Sequence, residues 1–359
     1  PTAGMTTSSP IGVGLVGYGL AGAVLHAPVI EALPDYRIAG VMTSRAEAAE
    51  RRDRPLVVAD IEALLAIEEV ELVVVVTPND LHATHAEAAL RAGRHVVIDK
   101  PMAPSVAECD RLIDLAEASG RVFSVYHNRR WDTDFLEVMD IVTSGGVGEP
   151  ALFEARWDRF RPAAAAVWRN TPRPGAGLLW DLGPHLVDQA LALFGWPDAM
   201  VADVATQRAG AGADDYFALT LHYGARRAIL SASTLVAATR PRMALHGKGG
   251  SWWTEGLDPA EAALRAGRSP SERDFVEGLP PVPAFRATRD GERTPAPVAA
   301  VDPCGFYRRL AAAIRSGGPV PVDPVEARDV VALIAAAYAG APLPPPRGAR
   351  RLPASPRPV

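Results

Sequence analysis

This sequence of 359 residues predicts an α/β domain with a doubly wound parallel sheet, followed by an α+β domain with a large, mostly antiparallel open sheet. Up to about residue 126, short unbroken runs of Val, Ile and Leu alternate with helical stretches, as strands covered on both faces require. Beyond it the strands are longer and alternate apolar with polar residues, which suits a sheet with one packed and one open face. The length is also too great for one small core and fits two domains.

In the first domain, residues 10–126, strands are expected at 11–16, 36–41, 56–58, 71–76, 95–98 and 122–126. Residues 80–92 read as a helix with the stripe Leu81, Thr84, His85, Ala88 and Ala89. Residues 105–119 read as another, with Ser105 as N-cap, Glu108 completing a capping box and Gly120 as the stop. Strands joined by crossover helices in this way form one doubly wound sheet.

In the second domain, residues 127–342, Asp132 caps a helix to about residue 142 and a strand follows at 152–157. A helix is expected to start near Pro184 and end at Phe194, before Gly195. Strands follow at 200–206, 216–223, 226–235 and 242–246, the second of these with Phe217, Leu219, Leu221 and Tyr223 on one face. Residues 258–301 read as a long Pro-, Gly- and charge-rich excursion, and helices at 306–314 and 324–338 close the fold. Residues 1–9 and 343–359 hold too little apolar surface to offset ordering and are expected to be mobile tails.

Hydrophobic content of 48% with 22% charged residues is the balance of a globular chain. A net charge of −5 gives no electrostatic footprint for nucleic acid or an anionic membrane. Cys109 and Cys304 lie far apart and outside metal-ligand spacing, which argues against a disulfide framework or a zinc site and fits a reducing compartment. No apolar run approaches a membrane span, and the first residues lack the parts of a signal peptide, so a cytoplasmic location is expected.

Two overlapping strings satisfy G-x-G-x-x-G: Gly12, Gly14, Gly17 and Gly17, Gly19, Gly22. Gly12 and Gly14 lie inside the first strand. Gly17-Tyr18-Gly19-Leu20-Ala21-Gly22 lies at its end and opens a helix, where backbone N–H groups would face a pyrophosphate. The first domain therefore reads as a dinucleotide-binding Rossmann domain. NAD enzymes usually carry a carboxylate at the end of the second strand, to hold the ribose 2′-hydroxyl. Here Met42 is followed by Thr43, Ser44 and Arg45. A hydroxyl followed by an arginine suits a 2′-phosphate, so NADP is expected in preference to NAD. The same Ser44 and Arg45 would also serve as the cap and solvated surface of the next helix.

Ligands of open α/β sheets bind beyond the carboxyl ends of the strands. There lie Thr77-Pro78-Asn79-Asp80 with His82 after it, Asp99-Lys100-Pro101, and His127-Asn128-Arg129-Arg130-Trp131. The expected cofactor contacts are Gly17, Tyr18, Gly19, Gly22, Thr43, Ser44, Arg45, Thr77, Pro78, Asn79, His82, Asp99, Lys100 and Pro101. A lysine beside a buried strand end is poorly explained by packing. Asp181 and His185 are spaced to share one helical face. Since proline is tolerated in a helix's first turn, Pro184 is expected there, with Asp181 at or just before the N-terminus. The helix end disfavours imidazolium and the carboxylate favours it, which would leave His185 near neutrality. By spacing alone, Asp181 as a plain N-cap and His185 as a packed surface residue fit equally well.

These motifs, in this order, resemble the glucose–fructose oxidoreductase / inositol dehydrogenase (Gfo/Idh/MocA) family over about residues 10–340. The family's Glu-Lys-Pro appears as Asp99-Lys100-Pro101, which keeps the lysine. Its Gly-Gly-x-x-x-Asp-x-Gly-x-His appears with Ala176 between Gly175 and Gly177, ending in Asp181, Gly183 and His185. The strings at 127–132, 158–162 and 180–189 are similar to those of NADP-dependent scyllo-inositol dehydrogenases. The resemblance implies Lys100, Asp181 and His185 as the catalytic group, a cyclitol or sugar as substrate, and a homodimer or homotetramer built through the C-terminal sheet. On that footing His185 exchanges the hydroxyl proton, Lys100 binds the same oxygen and Asp181 orients His185. The expected substrate contacts are Lys100, Asn128, Arg129, Trp131, Asp158, Trp168, Asp181 and His185, with Arg129 and Arg156 leaving room for a carboxylated substrate. A keto-sugar reductase acting on a free or nucleotide-linked sugar is the alternative enzyme. A non-catalytic NADP-binding regulator is the alternative of another class.

Overall fold

The structure is a computed structural model that describes residues 9–164 and 171–348. Its first sheet contains six parallel strands: β1 (Ile11–Val16), β2 (Tyr36–Met42), β3 (Leu56–Val58), β4 (Leu72–Val75), β5 (His95–Asp99) and β6 (Phe123–Tyr126). Their order is β3-β2-β1-β4-β5-β6, so the winding reverses between β1 and β4 and opens a crevice beyond their carboxyl ends. Val13, Leu15, Val73, Val74 and Val97 have no exposed surface, which explains why these strands show no polar alternation. Gly12 belongs to packing, because a Cβ there would lie 1.7 Å from the Glu69 carbonyl oxygen.

The helices of this half are α1 (Ala27–Glu31), preceded by a π-helical turn at Ala21–His26, α2 (Ile61–Leu65), α3 (His82–Arg91) and α4 (Val106–Ser119). Ser105 caps α4 as expected: its Oγ accepts the Glu108 N–H at 3.3 Å and donates to the Glu108 carboxylate at 2.6 Å. Glu108 thus returns to the cap through the Ser105 hydroxyl rather than its backbone N–H. In α3 the expected stripe is displaced. The buried residues are His82, Ala83, Ala86, Ala89 and Leu90, while Leu81 is 42% exposed. A short turn at Asn79–Leu81 precedes the helix and rotates its apolar face by about one position.

The second sheet comprises β7 (Pro150–Arg156), β8 (Ala199–Ala205), β9 (Tyr216–Tyr223), β10 (Arg226–Ser233), β11 (Pro241–Gly247), β12 (Gly250–Glu255), β13 (Ala284–Thr288) and β14 (Arg293–Pro295). Their order is β14-β13-β12-β11-β7-β10-β9-β8, antiparallel except between β7 and β10. Phe217, Leu219 and Leu221 of β9 are fully buried on one face, as their alternation requires. The helices are α5 (Thr133–Ser144), α6 (Leu178–Phe194), α7 (Pro259–Arg265), α8 (Gly305–Ser316) and α9 (Pro324–Ala339).

Three expectations are corrected here. First, α6 starts at Leu178, so Pro184 lies inside it and Asp181 within its first turn. The helix opens early because the Leu178 N–H donates to the Asp214 carbonyl and the Leu179 N–H to the Asp214 carboxylate, at 2.9 and 2.8 Å. Second, the 258–301 stretch is partly regular: Asp258 caps α7, and β13 and β14 extend the sheet. Third, β12 was not expected as a strand, yet its Trp252 is fully buried.

Helices α8 and α9 return to the first sheet. The Tyr36 hydroxyl donates to the Tyr307 carbonyl at 2.7 Å, and Ser124 Oγ donates to the Val322 carbonyl at 2.8 Å. Of the two expected tails, residues 1–8 and 349–359 lie outside the described residues. Up to Gly348 the chain docks on α4 and α9: Arg347 donates its N–H to Asp329 and its guanidinium to Asp110. Among the described residues no helix is long and apolar enough to cross a membrane.

Candidate active site

The glycine turn after β1 is shaped by close backbone approach. Gly17 has φ +102°, and a Cβ there would lie 2.9 Å from the Val76 carbonyl. A Cβ on Gly22 would lie 2.5 Å from the Gly17 carbonyl, whereas one on Gly19 would meet nothing within 4 Å. The turn is thus packed below and open above, a cradle that fits a pyrophosphate against a helix start. At the end of β4, the buried Thr77 hydroxyl has no hydrogen-bond partner, a second feature that fits a bound dinucleotide. Behind it the buried His82 ring bridges two strand ends, 2.9 Å from the Thr77 carbonyl and 2.8 Å from the Pro101 carbonyl. Burial lowers its pKa, ahead of the opposing pull of those carbonyls.

The rim is tied to the second half of the chain. Asn79 Nδ2 donates to the Gly175 carbonyl at 2.7 Å, and Arg173 pairs with Asp80. Asn79 therefore ties the Gly175-Ala176-Gly177 loop to the rim, next to Pro78. Tyr18 is buried, with its hydroxyl on Arg51, and Asp99 faces His26 at 3.8 Å. At the end of β2, the Arg45 N–H donates to Thr43 Oγ1 and the Arg45 guanidinium is largely exposed beside Glu47, with Ser44 between them.

Lys100 follows β5 and reaches across to α6. Its Nζ donates to the Asp181 backbone carbonyl at 2.5 Å and lies 3.4 Å from the Asp181 carboxylate. Arg159 Nη1 is 3.6 Å from the other carboxylate oxygen, so Asp181 stands between two cations. One helical turn on, His185 is 6% exposed, its Nδ1 has no partner, and its ring lies 5.5 Å from that of Trp157. Burial first, then Lys100, Arg129, His127 and Arg242, hold its pKa well below the ordinary histidine value. A neutral imidazole under the influence of a positioned ammonium has the chemistry of a proton acceptor paired with an electrostatic stabiliser. The neutrality expected from a helix end opposing a carboxylate is reached instead through burial and surrounding cations.

Residues 11–127 match the family model described as an oxidoreductase family with an NAD-binding Rossmann fold, and residues 135–253 match the GFO/IDH/MocA C-terminal domain. The chain belongs to the GFO/IDH/MocA family. The scyllo-inositol 2-dehydrogenase (NADP(+)) IolW of Bacillus subtilis is 40% identical over 332 residues, covering 91% of this chain and 92% of that protein. The D-glucoside 3-dehydrogenase of Escherichia coli is 32% identical over 196 residues, 53% of this chain and 56% of that protein. The solved structure of the oxidoreductase yvaA from Bacillus subtilis superposes with a TM-score of 0.86 at 38% identity, over 92% of this chain and 96% of that one. This GFO/IDH/MocA member is therefore an NAD(P)-dependent oxidoreductase of a small-molecule substrate.

Other expected contacts of this GFO/IDH/MocA chain are distributed more widely. Arg129 is 6% exposed and already engaged by Asp132 and Glu261, and Arg156 pairs with Glu154. Both arginines named for a carboxylated substrate are thus occupied within the protein. Trp131 is 5% exposed and packs edge-on against Phe306, as core does. Asn128, Arg129 and Trp131 line a small pocket whose wall does not include Lys100, Asp181 or His185. Asp158 gives one oxygen to Arg240 at 2.7 Å, and its other, buried oxygen is unpaired. Trp168 lies outside the described residues. Among those residues no cluster of three or more His, Cys, Asp and Glu could hold a metal.

Two neighbours of the site were missed as contacts by sequence reasoning, Arg159 and His127. Arg159 belongs to an irregular segment, where no periodicity indicates direction. His127 is fully buried beside Asp188, which Arg130 also engages at 2.6 Å. Burial first pushes its pKa down to about 4.

Proposed function

We propose that this oxidoreductase uses NADP to interconvert a secondary alcohol and a ketone on a cyclitol or sugar, with scyllo-inositol and its ketone as the leading pair. The convergence of Lys100, Asp181 and an unprotonated His185 beyond the end of β5 carries this reading. The nicotinamide, when bound, takes or gives the hydride. His185 accepts the hydroxyl proton during oxidation and returns it during reduction. Lys100 hydrogen-bonds the same oxygen and offsets its developing negative charge. Asp181 fixes the Lys100 ammonium through both its carbonyl and its carboxylate, a role different from orienting His185. NADP is favoured by the absence of a carboxylate at the end of β2 and by the exposed Arg45 guanidinium there. The proposed oligomer surface is the open side of the second sheet, where Val201 is 62% exposed.

The cyclitol reading is supported by the name of IolW, 40% identical over nearly the whole chain. A free-sugar or keto-sugar reading is supported by the D-glucoside 3-dehydrogenase, over about half of it. A spectrophotometric screen of NADP and NAD against inositol isomers, aldoses and keto-sugars tests both. Reduction of NADP by scyllo-inositol is the expected result. Turnover restricted to keto-sugars selects the second reading, and NADP binding without turnover of any substrate overturns the enzymatic roles given to Lys100 and His185.

A further inference from the structure

Arg242 enters the site so far only as one of the charges around His185, yet its setting is unusual for an arginine. It occupies an irregularity in β11, where pairing with β12 slips between Pro241 and Met243. Such bulges redirect a side chain out of the regular alternation. Arg242 is 4% exposed, and none of its three side-chain nitrogens has a hydrogen-bond partner. A guanidinium buried this way needs compensation from its surroundings. One source is the Trp157 ring: Arg242 Cζ lies 4.7 Å from its centroid, and Arg129 Cζ lies 4.9 Å from it. The same indole lies against the His185 ring at 5.5 Å, with 31° between their planes.

We propose that Arg242 is a positioning residue for hydride transfer, acting through Trp157 to hold the His185 ring in place for its proton step. The inference rests on His185 as the proton acceptor. Charge works in the same direction as packing. Facing His185 are Lys100 from the end of β5, His127 and Arg129 from the segment after β6, and Arg242 from β11. The carboxylates of α6 itself are Asp181, between Lys100 and Arg159, and Asp188, paired with Arg130. Asp132 and Asp134 of the α5 start face Arg242 and stabilise its charge. Cations therefore dominate around the imidazole, and removing one favours protonation.

The test is an NMR titration of the His185 ring in the full chain, assigned with His185→Gln, in wild type, Arg242→Met and Arg242→Lys. The His185 midpoint is expected to rise by about one unit in Arg242→Met, a tenfold change in proton affinity, and to stay near wild type in Arg242→Lys. With scyllo-inositol and NADP, the acid limb of kcat/KM should move up by the same amount, because the base must be unprotonated. An unchanged midpoint in folded Arg242→Met overturns the proposal. If Arg242→Met does not fold, Trp157→Leu replaces it: an unaltered His185 titration in that variant overturns the proposal equally. Wild-type turnover by His185→Gln would instead overturn the role given to His185, whatever the titration shows.

Discussion

The ammonium of Lys100 and the imidazole of His185 are set by different means, one by hydrogen bonds to Asp181 and the other by exclusion of water. The same exclusion acts on His127, whose folded pKa is about 4. The unfolded chain binds a proton at this residue near pH 6.5. As pH falls below that, the unfolded state gains protons first, so stability is lost between about pH 6.5 and 4. His127→Asn removes this contribution. Whatever the variant loses at pH 7, its unfolding free energy relative to wild type should improve by about 2 kcal/mol at pH 4.5. Urea denaturation at the two pH values checks this, and a constant difference would contradict the buried neutral state. Arg45 provides a second test. Arg45→Ala should weaken NADP binding at least about tenfold while leaving NAD binding within about twofold. Fluorescence titration with both dinucleotides measures the ratio, and an equal effect removes Arg45 from 2′-phosphate recognition. Lys100 stood out in the sequence because packing explains a lysine beside a buried strand end poorly. Asp181 and His185 were singled out only by the resemblance to the family, since their spacing fits a cap and a packed residue equally well. Arg242 was not, because an arginine in an alternating strand reads as an outward-facing residue until the bulge is seen.

At the scale of elements, two glycines of overlapping strings separate packing from binding. Gly12→Ala places a methyl against the Glu69 carbonyl, which cannot move without disturbing the sheet, and should cost about 3 kcal/mol or more. Gly19→Ala meets only open space and should leave stability within about 0.5 kcal/mol while weakening dinucleotide binding. Thermal unfolding and dinucleotide titration of both variants form one experiment; a reversed pattern would return the cofactor turn to the first string. The strand pattern of the first sheet was legible because both faces are buried and the runs are continuous. The start of α6 was not. Pro184 pointed to a helix start, but Asp214, more than thirty residues later, supplies the acceptors that let the helix open at Leu178. The stripe of α3 moved for a local reason, since a short turn at Asn79–Leu81 precedes it. β12 escaped notice because its flanking glycines resemble turn signals while its two tryptophans complete a central sheet.

On the scale of the molecule, both fold classes and their order followed from the change of hydrophobic period near residue 126. What no period could reveal is how the parts close on one another: the loop at Gly175 on Asn79, Lys100 on α6, and α8 against the first sheet. Tertiary contacts of that kind depend on residues far apart in sequence. The return of α8 and α9 bears on how the protein is made. Tyr36 and Ser124 find their hydrogen-bond partners at Tyr307 and Val322, and the His26 ring meets the Tyr307 hydroxyl. A ribosome delivers the six strands of the first sheet nearly two hundred residues before it delivers those partners. During that interval these polar groups depend on water, and the first sheet gains its full set of partners only once α8 and the start of α9 have been made.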